Sequence, residues 1–355
     1  MTNQLPKTMF AGVYRGKGKV ALEEVPVPEI YPGELLVKVR VCGVCGTDLK
    51  KIHLGLQPPP RIYGHEIAGD VAAVGRNVSS FKVGDRVVVN HHVPCMHETC
   101  HYCDRKDYAQ CPGYKETLTT AGFEPAGGGF AEFIRVMPRS VKLGTIPIPD
   151  DVSYETASFA EPLNTCLKGI RRMELQPYDT VVVYGQGPIG LLFTQLVSKA
   201  GGIVIAVDPV ASRREMAQRM GAAFQVVPCG DNATVLELTE GRGADSAIVA
   251  VATTKVIPDA IATVRHGGSV LLFAQTRMED YCEIDMGAVC MQEKRLLGSY
   301  SSDITLQDQA MDLLKTGSVK AESLITHRFP LSSITDAIEA ASHPDASTHK
   351  VVVCP

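Results

Sequence analysis

Two rhythms of apolar residues divide this chain. Through roughly its first 150 residues the apolar runs are short and interrupted. Leu36-Val37-Lys38-Val39-Arg40-Val41 alternates apolar and polar positions, as a strand with one buried face does. Residues 68–74, 86–89 and 129–136 read as further short strands bounded by Gly, Asp or Asn, a spacing that predicts a barrel-like fold. Past Pro147-Ile148-Pro149-Asp150-Asp151 the rhythm changes. Helix formers fill residues 152–172. Continuous apolar runs follow at 180–184, 203–208, 247–251 and 269–273, separated by helical segments. Unbroken apolar strands alternating with helices predict a parallel sheet buried on both faces. From about Ser299 the pattern is mixed again.

Composition narrows the class without changing the picture. The 355 residues suit about two domains. Apolar residues at 45% and charged residues at 21% are ordinary for a globular protein. A net charge of -4 with no basic patch argues against a nucleic-acid partner. The N-terminal stretch lacks the apolar core of a signal peptide, and no run of 18 apolar residues occurs, so a cytoplasmic protein without membrane contact is expected. In a reducing compartment the eleven cysteines then point to metal sites more than to disulfides.

The run 181–184 leads into Gly185-Gln186-Gly187-Pro188-Ile189-Gly190, and Asp208 ends the next apolar run 18 residues after Gly190. Strand, glycines, helix and acid fall in the order of a dinucleotide-binding loop. Gly185 permits a tight turn, Gly187 lets the backbone approach a pyrophosphate, and Gly190 allows close helix–strand packing. The helix N-terminus beginning at Pro188 and Ile189 offers free N–H groups and a positive dipole end. Asp208 suits ribose hydroxyls and repels a 2′-phosphate, which favours NAD over NADP. Arg213 and Arg214 lie close enough to soften that preference.

Cys95-x4-Cys100-x2-Cys103-x7-Cys111 gathers four thiols at a spacing that suits a closed, structural zinc site. His97 or His101 could replace one thiol. A second candidate centre is Cys42-Gly43-Val44-Cys45-Gly46-Thr47-Asp48 with Gly64-His65-Glu66, whose Cys, His and Glu are competent zinc ligands. Few protein ligands leave a position for an alcohol, on which zinc acts as a Lewis acid. Taken singly, each residue has a bland alternative as core filler or turn residue.

Together these motifs are specific. Cys45-Gly46-Thr47-Asp48, Gly64-His65-Glu66-x2-Gly69-x-Val71-x2-Val74-Gly75, Gly84-Asp85-Arg86-Val87, the four-cysteine lobe and the glycine loop stand in collinear order. Over nearly all of its length the chain resembles the medium-chain zinc alcohol dehydrogenase family. The resemblance implies a GroES-like β-barrel catalytic domain over residues 1–157 and 299–355. Between them it implies a doubly wound Rossmann domain over residues 158–298 that binds NAD, with the active site in a cleft between the two. It implies one catalytic and one structural zinc per chain.

Cys45 and His65 resemble the catalytic zinc ligands. Glu66 and Glu161, in Ala160-Glu161-Pro162-Leu163, match the acids that polyol-dehydrogenase-like members bring to the metal, and either is a candidate direct ligand. Thr47 matches the hydroxyl that takes the substrate's proton, Asp48 the carboxylate that orients His65, and Thr165 a frequent nicotinamide contact. Three departures stand out. The cysteine lobe opens with x4 instead of x2. Lys50 stands where the family often has a proton-relaying His, with His53 the nearest imidazole. Gly298-Ser299-Tyr300-Ser301 lacks the Arg–aromatic pair of sorbitol dehydrogenases. The expected activity is reversible oxidation of a secondary alcohol of a polyol, sugar alcohol, its phosphate or a cyclitol. The alternatives are an L-threonine-type amino-alcohol dehydrogenase and, further off, a non-catalytic cofactor-binding relative. A homo-oligomer is implied, a tetramer ahead of a dimer.

Overall fold

The alternating run at residues 36–41 lies within the strand Leu35–Gly43, the hub of an eight-stranded sheet. Its apolar positions are buried while Lys38 and Arg40 face solvent. It pairs antiparallel with Glu66–Val74, with Phe133–Val136 and with Lys350–Cys354. The register sets Gly43 opposite Glu66. The computed structural model describes residues 5–123, 127–228, 233–274, 276 and 279–355. The chain divides into one unit of Met1–Pro162, Asp303–Gly317 and Ala321–Pro355, and a second of Leu163–Ser302 with Ser318–Lys320.

In the first unit a hairpin of Thr8–Gly16 and Lys19–Pro26 joins Arg61–Ile62 in a three-stranded sheet. The helix Ile334–Ser342 contributes Ile334, Ala337 and Ile338 to the core, the spacing of one helical stripe. The strand expected at 129–136 is regular only over Phe133–Val136. Before it, the chain passes between two partners. Phe130 donates to Tyr63 O and accepts from Gly12, while Glu132 donates to Phe10 O and accepts from Val39. The helix expected at 152–172 is two helices, Tyr154–Ala157 and Ala160–Met173. Pro162 explains the break, because in a continuous helix its ring would meet the carbonyl of Ser158. In the first turn of a new helix it costs nothing.

The second unit holds a six-stranded parallel sheet. From one edge its strands are Phe224–Val226, Ile203–Val207, Thr180–Tyr184, Ala244–Val249, Val264–Leu272 and Arg295–Gly298. Numbered along the chain this is the order 3-2-1-4-5-6 of a Rossmann fold, with its switch point beside Thr180–Tyr184. Val181, Val182 and Val183 are all fully buried. Successive residues of a strand point to opposite faces, so both faces are covered. The run 247–251 is shifted relative to its strand, which starts at Ala244 and ends at Val249. Among the described residues no helix is long and apolar enough to cross a membrane.

Asp245 ties three segments of this sheet. It accepts from Thr180 N at 2.8 Å, Arg265 Nε at 2.6 Å and Arg242 Nη1 at 2.9 Å. Burial works against its charge, but the bond from Arg265, with those from Thr180 and Arg242, outweighs burial and holds its pKa below the ordinary carboxylate value. A carboxyl depressed by folding adds stability above its unfolded pKa and loses it as pH falls through the folded one. Asp245→Asn should therefore destabilise the protein by about 1–2 kcal/mol at pH 7. In thermal melts its deficit should shrink as pH is lowered below about 4; a constant deficit down to acid pH refutes the charge argument.

Candidate metal and dinucleotide sites

The four lobe cysteines converge within the first unit. Their Sγ atoms form one group in which all members lie within 4.8 Å of one another. Cys95 and Cys103 are 3.9 Å apart and Cys100 and Cys111 3.8 Å. Tetrahedral zinc with bonds of about 2.3 Å requires thiolates about 3.8 Å apart, so the donor set and its spacing fit that ion. Backbone N–H groups of Cys95 and His97 point at Cys111 Sγ and Cys95 Sγ. Burial opposes ionisation of Cys111, but the Cys95 N–H and neighbouring thiols bring it down to about 7, whereas burial pushes Cys103 up to about 12. The His97 ring bonds Thr99 and stands outside the thiol group. Met96, between the first two lobe cysteines, adopts a left-handed φ of 52°.

The second centre is built on a helix start and a strand start. Cys45 caps the helix Gly46–Leu54, Glu66 opens the strand Glu66–Val74, and His65 stands just before it. Cys45 Sγ, a His65 nitrogen and a Glu66 oxygen all lie within 4.8 Å of one another. Asp48, buried at the third helical position, holds these segments together. It accepts from Cys45 N and from Gly64 N, each at 3.3 Å, and binds His65 Nδ1 at 3.1 Å. That bond leaves the His65 Nε2 for a metal. Burial opposes the Asp48 charge, but His65 outweighs it and lowers the carboxyl. One thiol, one imidazole and an acid, with no fourth side chain in the group among the described residues, is a donor set that suits zinc with a position left open.

Glu161, the second residue of Ala160–Met173, stands outside that close group, yet the charges of His65, Glu66, Lys350 and Asp48 act on it. Burial, with Glu66 adding, raises its pKa to about 7. Thr47 lies in the first turn of Gly46–Leu54 and is partly exposed. His53 Nε2 is engaged by Ser342 Oγ at 2.7 Å. Cys42 is buried and burial holds its pKa high, so it behaves as core. Two residues escaped the sequence reading. Lys350 is buried against Glu66. The buried ring of His91 lies 5.0 Å from that of His65 and 3.8 Å from that of His92. A lysine opening an otherwise apolar strand, and a histidine pair just past a strand end, were the signals available.

In the second unit the glycine loop leaves the strand Thr180–Tyr184 with Gly185 at φ 88°. A Cβ on Gly190 would run into Gly185 O, whereas a Cβ on Gly187 meets no protein atom within 4 Å. Gly190 thus serves packing, and Gly187 clears space beside the N-terminus of Pro188–Lys199 for a ligand. Gln186 is fully buried, bonding Val183 O and Thr194 Oγ1. Asp208, just past Ile203–Val207, accepts from Gln186 N at 2.7 Å and Val210 N at 2.8 Å. Arg214 donates to the Asp208 carbonyl. Arg213 lies in the helix Ala211–Arg219, and Thr165 is buried in Ala160–Met173.

Residues 31–150 match the family model of the alcohol dehydrogenase GroES-like domain, and residues 188–316 that of the zinc-binding dehydrogenase. The sorbitol dehydrogenase of Bacillus subtilis strain 168 is 31% identical over 363 residues, spanning 100% of this chain and 99% of its own. The D-altritol 5-dehydrogenase of Agrobacterium fabrum strain C58 is 33% identical over 335 residues, covering 92% and 94%. Among solved structures, a Sinorhizobium meliloti 1021 protein described as a zinc-binding dehydrogenase, bound to NADP, superposes with a TM-score of 0.88. It is 29% identical and covers 99% of this chain and 100% of its own. Similarity over whole chains defines the class, a zinc-dependent oxidoreductase acting on CH–OH donors. The chain belongs to the medium-chain zinc-dependent alcohol dehydrogenase family.

Cys103→Ser should remove one zinc per chain, counted by elemental analysis. It should also lower the melting temperature, since a closed zinc site contributes folding energy directly. Unchanged zinc content would exclude the four-thiol site.

Proposed function

We propose that this protein reversibly oxidises a secondary alcohol of a polyol, sugar alcohol, sugar-alcohol phosphate or cyclitol to the ketone, with NAD as hydride acceptor. The observation that carries the reading is the donor set. Carboxylates Glu66 and Glu161 accompany Cys45 and His65 where other alcohol dehydrogenases use a further cysteine. Relatives named for sorbitol and altritol agree with it. Ser299 in place of an arginine turns the reading away from sorbitol itself.

Cys45, His65 and one of the two acids would hold the zinc, which when bound supplies a Lewis acid that makes the alcohol proton easier to remove. Asp48 fixes the His65 ring with Nε2 toward the metal. Thr47 would take the hydroxyl proton, and a bound nicotinamide would supply the acceptor for the carbinol hydrogen as hydride, so that alcohol and NAD balance as ketone, NADH and a proton. The N–H groups of Gly187, Ile189 and Gly190 would receive the pyrophosphate, with Arg213 and Thr165 as further cofactor contacts. Asp208 selects NAD by taking ribose hydroxyls and repelling a 2′-phosphate. Residues 1–157 and 299–355 serve as the catalytic domain and residues 158–298 as the cofactor domain. The working protein is a cytoplasmic homo-oligomer with two zinc ions per chain.

Cys45→Ser should lower kcat/KM by at least about 1000-fold while NADH still binds. Unchanged turnover excludes the zinc mechanism. Across a panel of sugar alcohols, their phosphates, cyclitols, sorbitol and L-threonine, NADH should form fastest on a polyol-type member other than sorbitol. L-Threonine as best substrate would establish the amino-alcohol reading instead. Asp208→Asn should shift the NAD over NADP preference in kcat/KM by about 10-fold or more toward NADP. A wild-type preference for NADP overturns the NAD assignment.

A further inference from the structure

Lys350 is out of character with its strand. It opens Lys350–Cys354, whose next three residues are buried valines, and it is itself only 5% exposed. A lysine ammonium leaves water only when partners replace the solvent. Here Nζ forms an ion pair with Glu66 Oε2, donates to Val44 O at 3.1 Å and lies 5.9 Å from the centroid of the Phe159 ring. The backbone is cleared for this pair. Glu66 faces Gly43 across the ladder, and a Cβ on Gly43 would run into Glu66 Oε2 and come within 2.9 Å of Lys350 Cε. The ammonium is thus anchored to the residue before one metal donor, Cys45, and to the side chain of another, Glu66.

This step rests on the metal-centre reading given above. A carboxylate with both oxygens free can occupy two positions on a metal, whereas a catalytic zinc keeps three protein ligands and one open position. We propose that Lys350 is a positioning residue: by holding Glu66 Oε2 it restricts Glu66 to one oxygen at the metal and preserves the position that the alcohol needs. Its charge also offsets part of the negative charge that Cys45, Glu66 and Glu161 bring around a dication.

Cobalt(II) loaded in place of zinc reads coordination directly, because its visible d–d bands weaken as coordination rises from four to five. The measurement is the difference spectrum against Cys45→Ser, which cancels the four-thiol lobe. Lys350→Met should show a weaker band than the unsubstituted protein and a KM for the alcohol raised about tenfold. Lys350→Arg should restore both. If Lys350→Met does not fold, Lys350→Thr, β-branched as the strand favours and too short to reach Glu66 Oε2, carries the same expectation. An unchanged cobalt band in the neutral variant overturns the proposal, whatever its melting temperature. A difference spectrum without a sulfur-to-cobalt band in the unsubstituted protein overturns the metal-centre reading itself, so the two failures are told apart.

Discussion

The Cys45–His65–Glu66 group hangs on one buried carboxylate. Asp48 accepts hydrogen bonds from the backbone of Cys45 and of Gly64 and from the ring of His65. These bonds join a helix start to a strand start that lies 20 residues further along the chain. An unpaired carboxylate at this depth would cost several kcal/mol, so the charge persists only because all three donors are present. The dependence is mutual. Without Asp48, Gly64 and Cys45 lose acceptors for their N–H groups, and His65 loses what fixes its tautomer.

Much of this was legible before any coordinates. The glycine loop, the acid after the second strand and the four-cysteine lobe are local patterns, each a spacing that one turn or one loop imposes. The parallel sheet was readable because strands buried on both faces carry no polar interruption, as in Val181-Val182-Val183. What escaped depends on distant partners. Lys350 and Glu66 are brought together only by the pairing of Leu35–Gly43 with both Glu66–Val74 and Lys350–Cys354. Nothing near Lys350 announces a carboxylate. The helix break before Pro162 was readable in principle from the proline rule, but helix formers on both sides masked it.

The two metal-type sites of the first unit differ in kind. The thiol lobe draws all four donors from a single loop, so its geometry is a local matter that a metal can impose on the chain. The Cys45 centre draws donors from separate elements whose positions the sheet has already set. The first is a fold-maker. The second is held ready by the fold, which is the arrangement an open coordination position requires.

The Asp208 carboxyl group braces the glycine loop. Its oxygens receive the N–H groups of Gln186 and Val210, which pin the glycine loop to the end of the second strand. Replacing this acid therefore also loosens the glycine loop. A sequence that drops this acid has to supply another acceptor for the Gln186 N–H or leave that buried donor unpaired.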